Sequence, residues 1–315
     1  MNYVAFECGG DAAVSGALFI KDIEKKTGQK INVIGVDRDR EIAYLYSKFF
    51  DFDYFVEEDE LNNFLIRKGC GFLPLDEHCR RKIDYNKFSE LMVGVHSGCS
   101  DFSIELVHDK SKMYEFLSKN FGTKSFLPKR YYNIDEVRKG NKKVVYRENL
   151  SSGSKAFKVM KAEELKEEDI NEHSIVTEFI PKEFIPKGKE YVVDFVATKE
   201  EIEIYPRETF YLKNGADTYI RLLEYCSEEY MDILHCCKEI ITSLKYEGVG
   251  MIQLMSSYDG LKFIEMGCRI SGASFVNFEL FGWNPLANCF HCINDKRKYN
   301  KDIYYSVRLN RVFNI

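Results

Sequence analysis

The chain has 315 residues, 45% hydrophobic and 30% charged, which excludes a disordered chain or a fibre and supplies apolar material for one large core or several smaller ones. Its 45 Lys and Arg are scattered among 50 Asp and Glu for a formal charge of −5, a balance that recruits neither nucleic acid nor an anionic membrane. No apolar run approaches the roughly 18 residues of a spanning helix, and Met1 to Gly10 carries no basic stretch followed by a hydrophobic one, so a cytoplasmic protein is expected.

Tyr3 to Phe6 is an apolar run followed by Cys8-Gly9-Gly10-Asp11. Val14, Ala17, Leu18 and Ile20 then recur at helical spacing, and Ile31 to Val36 is a second apolar run closed by Asp37. Right-handed crossover makes such a strand, helix, strand unit parallel, and ligands of such units sit beyond the carboxyl ends of the strands, here at Gly9-Gly10 and Asp37. The stretch from Cys8 to Gly16 does not spell the spaced-glycine dinucleotide fingerprint. Further strands are expected at Gly71 to Leu75 and Leu91 to Val95, giving a doubly wound α/β module over residues 1–108.

From Asp109 the pattern changes. Met113, Phe116 and Leu117 mark a helix, with Asp109 placed to cap its start and Gly122 to end it, and Lys124 to Pro128 reads as a loop. β-rich runs follow at Lys143 to Arg147, Phe157 to Met160, Ile175 to Ile180, Tyr191 to Ala197 and Glu201 to Tyr205. The lysine- and glutamate-rich stretch from Lys161 to Asp169 reads as a solvated helix face. A helix is expected from about Glu228 to Lys245, then two strands, Gly250 to Met255 and Leu261 to Met266, hinged at Asp259-Gly260. This half is α+β, divided into 109–178 and 179–315.

Arg147 closes a strand, and Ser151-Ser152-Gly153-Ser154-Lys155 leads into the next one; small residues there turn backbone N–H groups outward, so the loop could fold over a polyphosphate as a flap or be only a turn. A Walker A motif is absent. Glu178-Phe179-Ile180 ends a strand with a carboxylate and two apolar residues that could sandwich a purine, and Glu190 opens the next strand where it could take ribose hydroxyls. Gln253 and Glu265 lie on the two hairpin strands, and oxygen ligands from such neighbours suit Mg²⁺, which keeps waters and shares phosphate oxygens. Side chains alternate faces, so the pair converges only with an odd loop such as Tyr258-Asp259-Gly260; a two-residue loop would put them on opposite faces. Glu265 sits in the apolar run Phe263 to Met266 and, if buried, needs a cation: Arg269 or a metal.

In order, Asp109-Lys110, Val144 to Arg147 with Ser151 to Lys155, Glu178-Phe179-Ile180, Lys189 to Asp194, Gly248 to Gln253 and Phe263 to Gly272 resemble the motif series of the ATP-grasp superfamily, closest to its branch similar to carbamoyl-phosphate synthase and biotin carboxylase. The likeness covers residues 3 to about 290. It implies an ATP-grasp fold behind an N-terminal doubly wound domain, with Lys110 and Arg147 on ATP phosphates, Ser151 to Lys155 as the lid, Glu178, Phe179 and Ile180 around adenine, and Glu190 on the ribose. It further implies Gln253 and Glu265 on magnesium or manganese and Arg269 steadying the transferring phosphoryl group. The implied reaction activates a small carboxylic acid, plausibly an amino acid, as an acyl phosphate for attack by an amine. The chain departs from the pattern at Gly267, where Asn is usual, at Ala156, where Gly is usual, and in extra residues near Pro181 to Pro186. Two alternatives stay open: an ATP-binding protein that has lost turnover, with Gly267 as its trace, or a subunit that acts only beside a partner supplying ammonia or a carrier.

Arg207 and Arg221 are candidates for a substrate carboxylate, because a guanidinium docks two oxygens at once, and surface salt bridges explain them equally well. Cys289-Phe290-His291-Cys292, with His235 and Cys236-Cys237 elsewhere, lacks the second Cys-x-x-Cys of a zinc ribbon. Ten irregularly spaced cysteines are expected as thiols without crosslinks. Gly94 to Gly98 has its serine in the wrong place for a hydrolase elbow. The expected partners are ATP and small carboxylate and amine substrates, with self-association into a homo-oligomer left open.

Overall fold

The computed structural model describes residues 3–7, 11–36, 51–52, 63, 67, 71–73, 101–121, 126–140, 143–150, 157–180, 189–211, 217–287, 303–306 and 311–313. The first apolar runs become β1 (Tyr3–Glu7) and β2 (Asn32–Val36), joined by α1 (Asp11–Thr27). Ala13, Ala17, Ile20 and Ile23 recur at helical spacing and are buried, and α1 stops where Gly28 takes a φ of +69°, a left-handed conformation that glycine adopts without strain. Two short strands complete the sheet, β3 (Asp51–Phe52) and β4 (Gly71–Leu73), in the all-parallel order β3-β2-β1-β4. The expected parallel unit is present; β3 is too short to have left a pattern in the sequence. Gly9, Gly10, Asp37 and the run Leu91 to Val95 lie outside the described residues.

Two helices, α2 (Asp101–His108) and α3 (Lys110–Phe121), lead into the second body. The Asp109 carboxylate accepts the Lys112 N–H at 3.0 Å, capping α3 as its position in the sequence suggests. A four-stranded antiparallel sheet follows in the order β5-β8-β6-β7, from β5 (Arg130–Tyr131), β6 (Lys143–Glu148), β7 (Phe157–Lys161) and β8 (Ser174–Glu178). The short α4 (Ile134–Arg138) and the 161–170 segment close one face over Tyr131, Val137, Val144, Leu165 and Val176. The lysine- and glutamate-rich stretch is not the expected helix. It is a run of turns with one 3-10 turn at Glu167–Asp169, because Ala162 and Leu165 tuck into that core and set its course.

The third body is a seven-stranded sheet, β13-β12-β9-β10-β11-β14-β15. It is built from β9 (Glu190–Ala197), β10 (Ile202–Tyr211), β11 (Asp217–Leu222), β12 (Gly248–Ser257), β13 (Gly260–Gly267), β14 (Ile303–Ser306) and β15 (Arg311–Phe313). α5 (Glu228–Ser243) is capped by the Ser227 side chain and lies with α3 against one face, over Val193, Phe195, Ile252, Leu254 and Phe263. The other face is covered over Val196, Ile220, Leu222 and Val249 by α1, α6 (Ser274–Phe281) and Trp283. Thus the N-terminal module docks on the back of the central sheet. Ser15 joins the two, donating to the Gly272 carbonyl (3.2 Å) and accepting from the Phe275 N–H (3.1 Å). Among the described residues, no helix is long and apolar enough to cross a membrane, and Cys226, Cys236, Cys237 and Cys268 form no disulfide.

Candidate active site

Register decides which side chains share a face. Gln253 pairs directly with Glu265 on one side and with Val192 on the other, and Val192 pairs with Arg207. Directly opposed residues of antiparallel strands project to one face, so Gln253 and Glu265 stand side by side, both partly exposed. The route to this arrangement differs from the expected odd loop. Ser257 pairs with Gly260 across a two-residue turn, Tyr258-Asp259, which by simple alternation separates the pair. A β-bulge restores the parity: Leu254 opposes Phe263 while Gln253 opposes Glu265, leaving Ile264 as the extra residue.

The bulge is gripped from the four-stranded sheet. Arg147, near the end of β6, donates from Nη1 to the Ile264 carbonyl at 3.0 Å, so a cation of the second body reaches the residue beside Glu265. Tyr114, one turn into α3, donates its hydroxyl to the Phe263 carbonyl at 3.3 Å and is buried. Burial pushes the Tyr114 hydroxyl up to about 12; Arg147 and Arg130 act to lower it, and Glu265 and Glu178 to raise it. All four charges therefore act on the Tyr114 hydroxyl.

Lys110 opens α3, and its N–H donates to the Asn149 carbonyl at 3.3 Å. Asn149 itself escaped the sequence reading. It is buried, its Oδ1 accepts the Ser111 N–H at 2.6 Å, and its own N–H reaches the His173 carbonyl at 2.8 Å. It thereby pins the start of α3 to the end of β6. The signal was an Asn directly after a strand, next to the small-residue loop. Ser151, Ser152, Gly153, Ser154 and Lys155 lie outside the described residues.

Glu178 ends β8 with Oε1 accepting the Lys129 N–H at 2.8 Å, so one carboxylate oxygen is committed to the chain. Phe179 and Ile180 follow, partly buried, with Lys143 Nζ 5.5 Å from the centre of the Phe179 ring. Glu190 begins β9, partly exposed, its carbonyl accepting from Thr209 Oγ1 at 3.3 Å. Arg269 Nη1 donates to the Ile270 carbonyl at 3.2 Å.

Arg207 and Arg221 are neither surface ion pairs nor arranged with open forks. Arg207 is 1% exposed, paired with Asp194 and donating to Ser271 Oγ at 2.6 Å, and Asn277 donates to the same Asp194 at 2.8 Å. Arg221 donates from Nε to Glu208 at 2.6 Å and from Nη2 to both oxygens of Glu229 at 2.9 Å. Lys189 and Tyr191 also donate to Glu229 and, with Arg221, hold its carboxyl below the usual range against the opposing effect of burial. Buried guanidinium groups need anionic partners, and here the protein supplies them.

An open hollow of about 570 Å³ lies elsewhere, lined by Lys189, Tyr191, Glu229, Asp232, Ser256 and Leu261 among others. Leu254 pairs with Tyr191, one residue out of step with the Gln253–Val192 pair, so the hollow is on the opposite face from Gln253 and Glu265. The bond from Arg147 to the Ile264 carbonyl is the more informative geometry, because it brings a cation of one body to the strand residue beside Glu265 of another.

A family model described as an ATP-grasp domain matches residues 107–273, more than half of the chain. The chain belongs to the ATP-grasp family. The biotin carboxylase domain of the 2-oxoglutarate carboxylase of Hydrogenobacter thermophilus matches this ATP-grasp chain with a TM-score of 0.71 at 13% identity, over 97% of this chain and 74% of that one. N5-carboxyaminoimidazole ribonucleotide synthetase from Thermotoga maritima matches with a TM-score of 0.63 at 18% identity, over 96% and 80%. L-amino acid ligase from Bacillus licheniformis matches with a TM-score of 0.68 at 13% identity, over 97% and 79%. At these identities the likeness is one of fold. No curated protein matches the sequence.

Proposed function

We propose that this ATP-grasp protein is an ADP-forming ligase that activates a small carboxylic acid, an amino acid being the leading class, as an acyl phosphate for attack by an amine. The observation that carries this reading is the convergence of Arg147 from the four-stranded sheet on the bulge that sets Glu265 beside Gln253. A transferring phosphoryl group spreads negative charge over its oxygens, and fixed cations facing a bound metal ion are what that charge requires. The fold neighbours support the class: one is a biotin carboxylase domain in complex with MgADP and bicarbonate, and another is an L-amino acid ligase.

In this reading 1–108 is the N-terminal module, 109–178 the first lobe with its lid, and 179–315 the lobe with the metal strands. The three separate sheets support that division, although α2 packs with α3 and β13 and so sides by contact with the lobes. Lys110 and Arg147 hold phosphates, the Ser151 to Lys155 loop closes over them and excludes water, Glu178, Phe179 and Ile180 line the adenine end, Glu190 takes the ribose, and Arg269 faces the transferred group. One carboxylate and one amide oxygen fit a single Mg²⁺ or Mn²⁺ that takes its other ligands from water and phosphate, and Gly267 offers no side chain toward a second. When bound, the ion neutralises phosphate charge. In this reading the internal carboxylate partners of Arg207 and Arg221 give both residues structural work.

The experiment is ADP release from Mg-ATP across a panel of amino acids and amines, with hydroxylamine added to trap an acyl phosphate as its hydroxamate. ADP and hydroxamate that depend on a particular acid are expected. Gly267 favours one competing reading, a nucleotide-binding protein without turnover; thermal stabilisation by nucleotide with no ADP from any pair would establish it.

A further inference from the structure

β13 ends the seven-stranded sheet among the described strands, and its outer edge is where the first lobe takes hold. The Phe263 N–H donates to the Phe126 carbonyl at 2.5 Å, Tyr114 donates to the Phe263 carbonyl at 3.3 Å, and Arg147 donates to the Ile264 carbonyl at 3.0 Å. Two successive residues thus have their outward backbone groups taken by three first-lobe residues. Ile264 is the bulged residue. If it paired regularly opposite Gln253, Glu265 would fall opposite Ile252 and turn to the face covered by α3 and α5. Whatever fixes the peptides at 263 and 264 therefore fixes the side on which Glu265 appears.

We propose that Tyr114 is a positioning residue for the metal strand: its hydroxyl anchors the Phe263 carbonyl and so holds Glu265 opposite Gln253. The proposal rests on the reading of those two residues as metal ligands. Tyr114 is suited to the task by packing as well as by its hydrogen bond, since its ring meets the Phe263 ring edge-on with centroids 6.2 Å apart. A phenol is protonated throughout the neutral range, and burial only raises its pKa further, so the hydroxyl remains a donor. Tyr114 also stands four residues after Lys110 on α3, one helical turn away, so a single rigid element carries the phosphate cation and the brace of the metal strand.

Tyr114→Phe keeps the ring and deletes only the hydroxyl. Mn²⁺ is titrated into each variant with ATP present, read by electron paramagnetic resonance, and Glu265→Ala serves as the reference that loses the ion. Tyr114→Phe is expected to weaken Mn²⁺ about three- to tenfold, the scale of one neutral hydrogen bond, with metal-free ATP affinity unchanged and the thermal midpoint slightly lower because the Phe263 carbonyl loses its donor. Unchanged Mn²⁺ affinity beside a Glu265→Ala that loses it overturns the role of Tyr114 alone. Retained Mn²⁺ binding in Glu265→Ala overturns the metal reading and the brace with it. A fall in metal-free ATP affinity as large as the fall in Mn²⁺ affinity makes Tyr114 structural only and overturns its role toward the metal strand.

Discussion

At the turn that joins β12 to β13, Asp259 accepts from Lys262 at 2.8 Å and from Ser257 at 2.6 Å, and these two donors hold its carboxyl down at about 2. A carboxylate held below its unfolded value stabilises the fold above the unfolded value, and that contribution disappears as pH falls through the folded one. The window for Asp259 therefore runs from about pH 4 down to about pH 2. Its side chain is 61% exposed, so solvent screening limits the contribution to under about 1 kcal/mol. Asp259→Asn should lower the urea midpoint slightly at pH 7, and the gap to the parent should close as the pH is taken from about 4 to about 2; a gap that stays constant contradicts the assignment. The buried Asp194–Arg207 pair shows the other limit of charge at the residue scale. It sits in the sheet interior with Ser271 and Asn277 as further partners, a polar centre that no local pattern in the sequence announces.

Among the elements, the β12–β13 hairpin carries the most demanding geometry. Gly250 lies opposite Phe195, and a Cβ placed there would stand 2.4 Å from the ring and 2.9 Å from the Gly267 carbonyl oxygen. Phe195 is fully buried and packed edge-on to Tyr246 with ring centroids 5.4 Å apart, so it has nowhere to go. Gly250→Ala should destabilise by about 1–3 kcal/mol through overpacking, seen as a lower urea midpoint at unchanged slope; a neutral result would mean that the two strands separate freely. The hairpin's two strands and its Asp259 turn were legible in the sequence, because alternation and turn chemistry are local. The bulge at Ile264 was not. It is selected by Tyr114 and Arg147, which lie 149 and 117 residues away from their acceptors along the chain. Likewise β5 and α4 are too short to leave a period, and both sit over the small core of Tyr131, Val137 and Val144.

Over the whole molecule, one apolar cluster joins α1 of the N-terminal module to the central sheet: Phe19, Ile20 and Ile23 meet Val249, Ile270 and Trp283. Asn284 reinforces the junction by donating to the Phe19 carbonyl and to Asp22, each at 2.9 Å. Trp283 is the sole tryptophan, is fully buried at this junction, and therefore reports on docking. Unfolding in urea followed by Trp283 fluorescence should coincide with unfolding followed by far-ultraviolet circular dichroism, since separating the modules exposes a core that both share. A fluorescence change that precedes loss of secondary structure would show that the module undocks on its own.

By itself the sequence determined what short-range physics encodes. Apolar period gave the parallel N-terminal unit, α3 with its Asp109 cap, α5 and the β strands of the hairpin, and the order of motifs identified the ATP-grasp fold. Tertiary structure alone decided which side chains meet. The face shown by Glu265 depends on a one-residue bulge stabilised from another lobe, and the commitment of Arg207 and Arg221 to internal carboxylates depends on strands that pair across the sheet. Both are long-range contacts, and a charge read along a chain does not reveal the partner that folding brings to it.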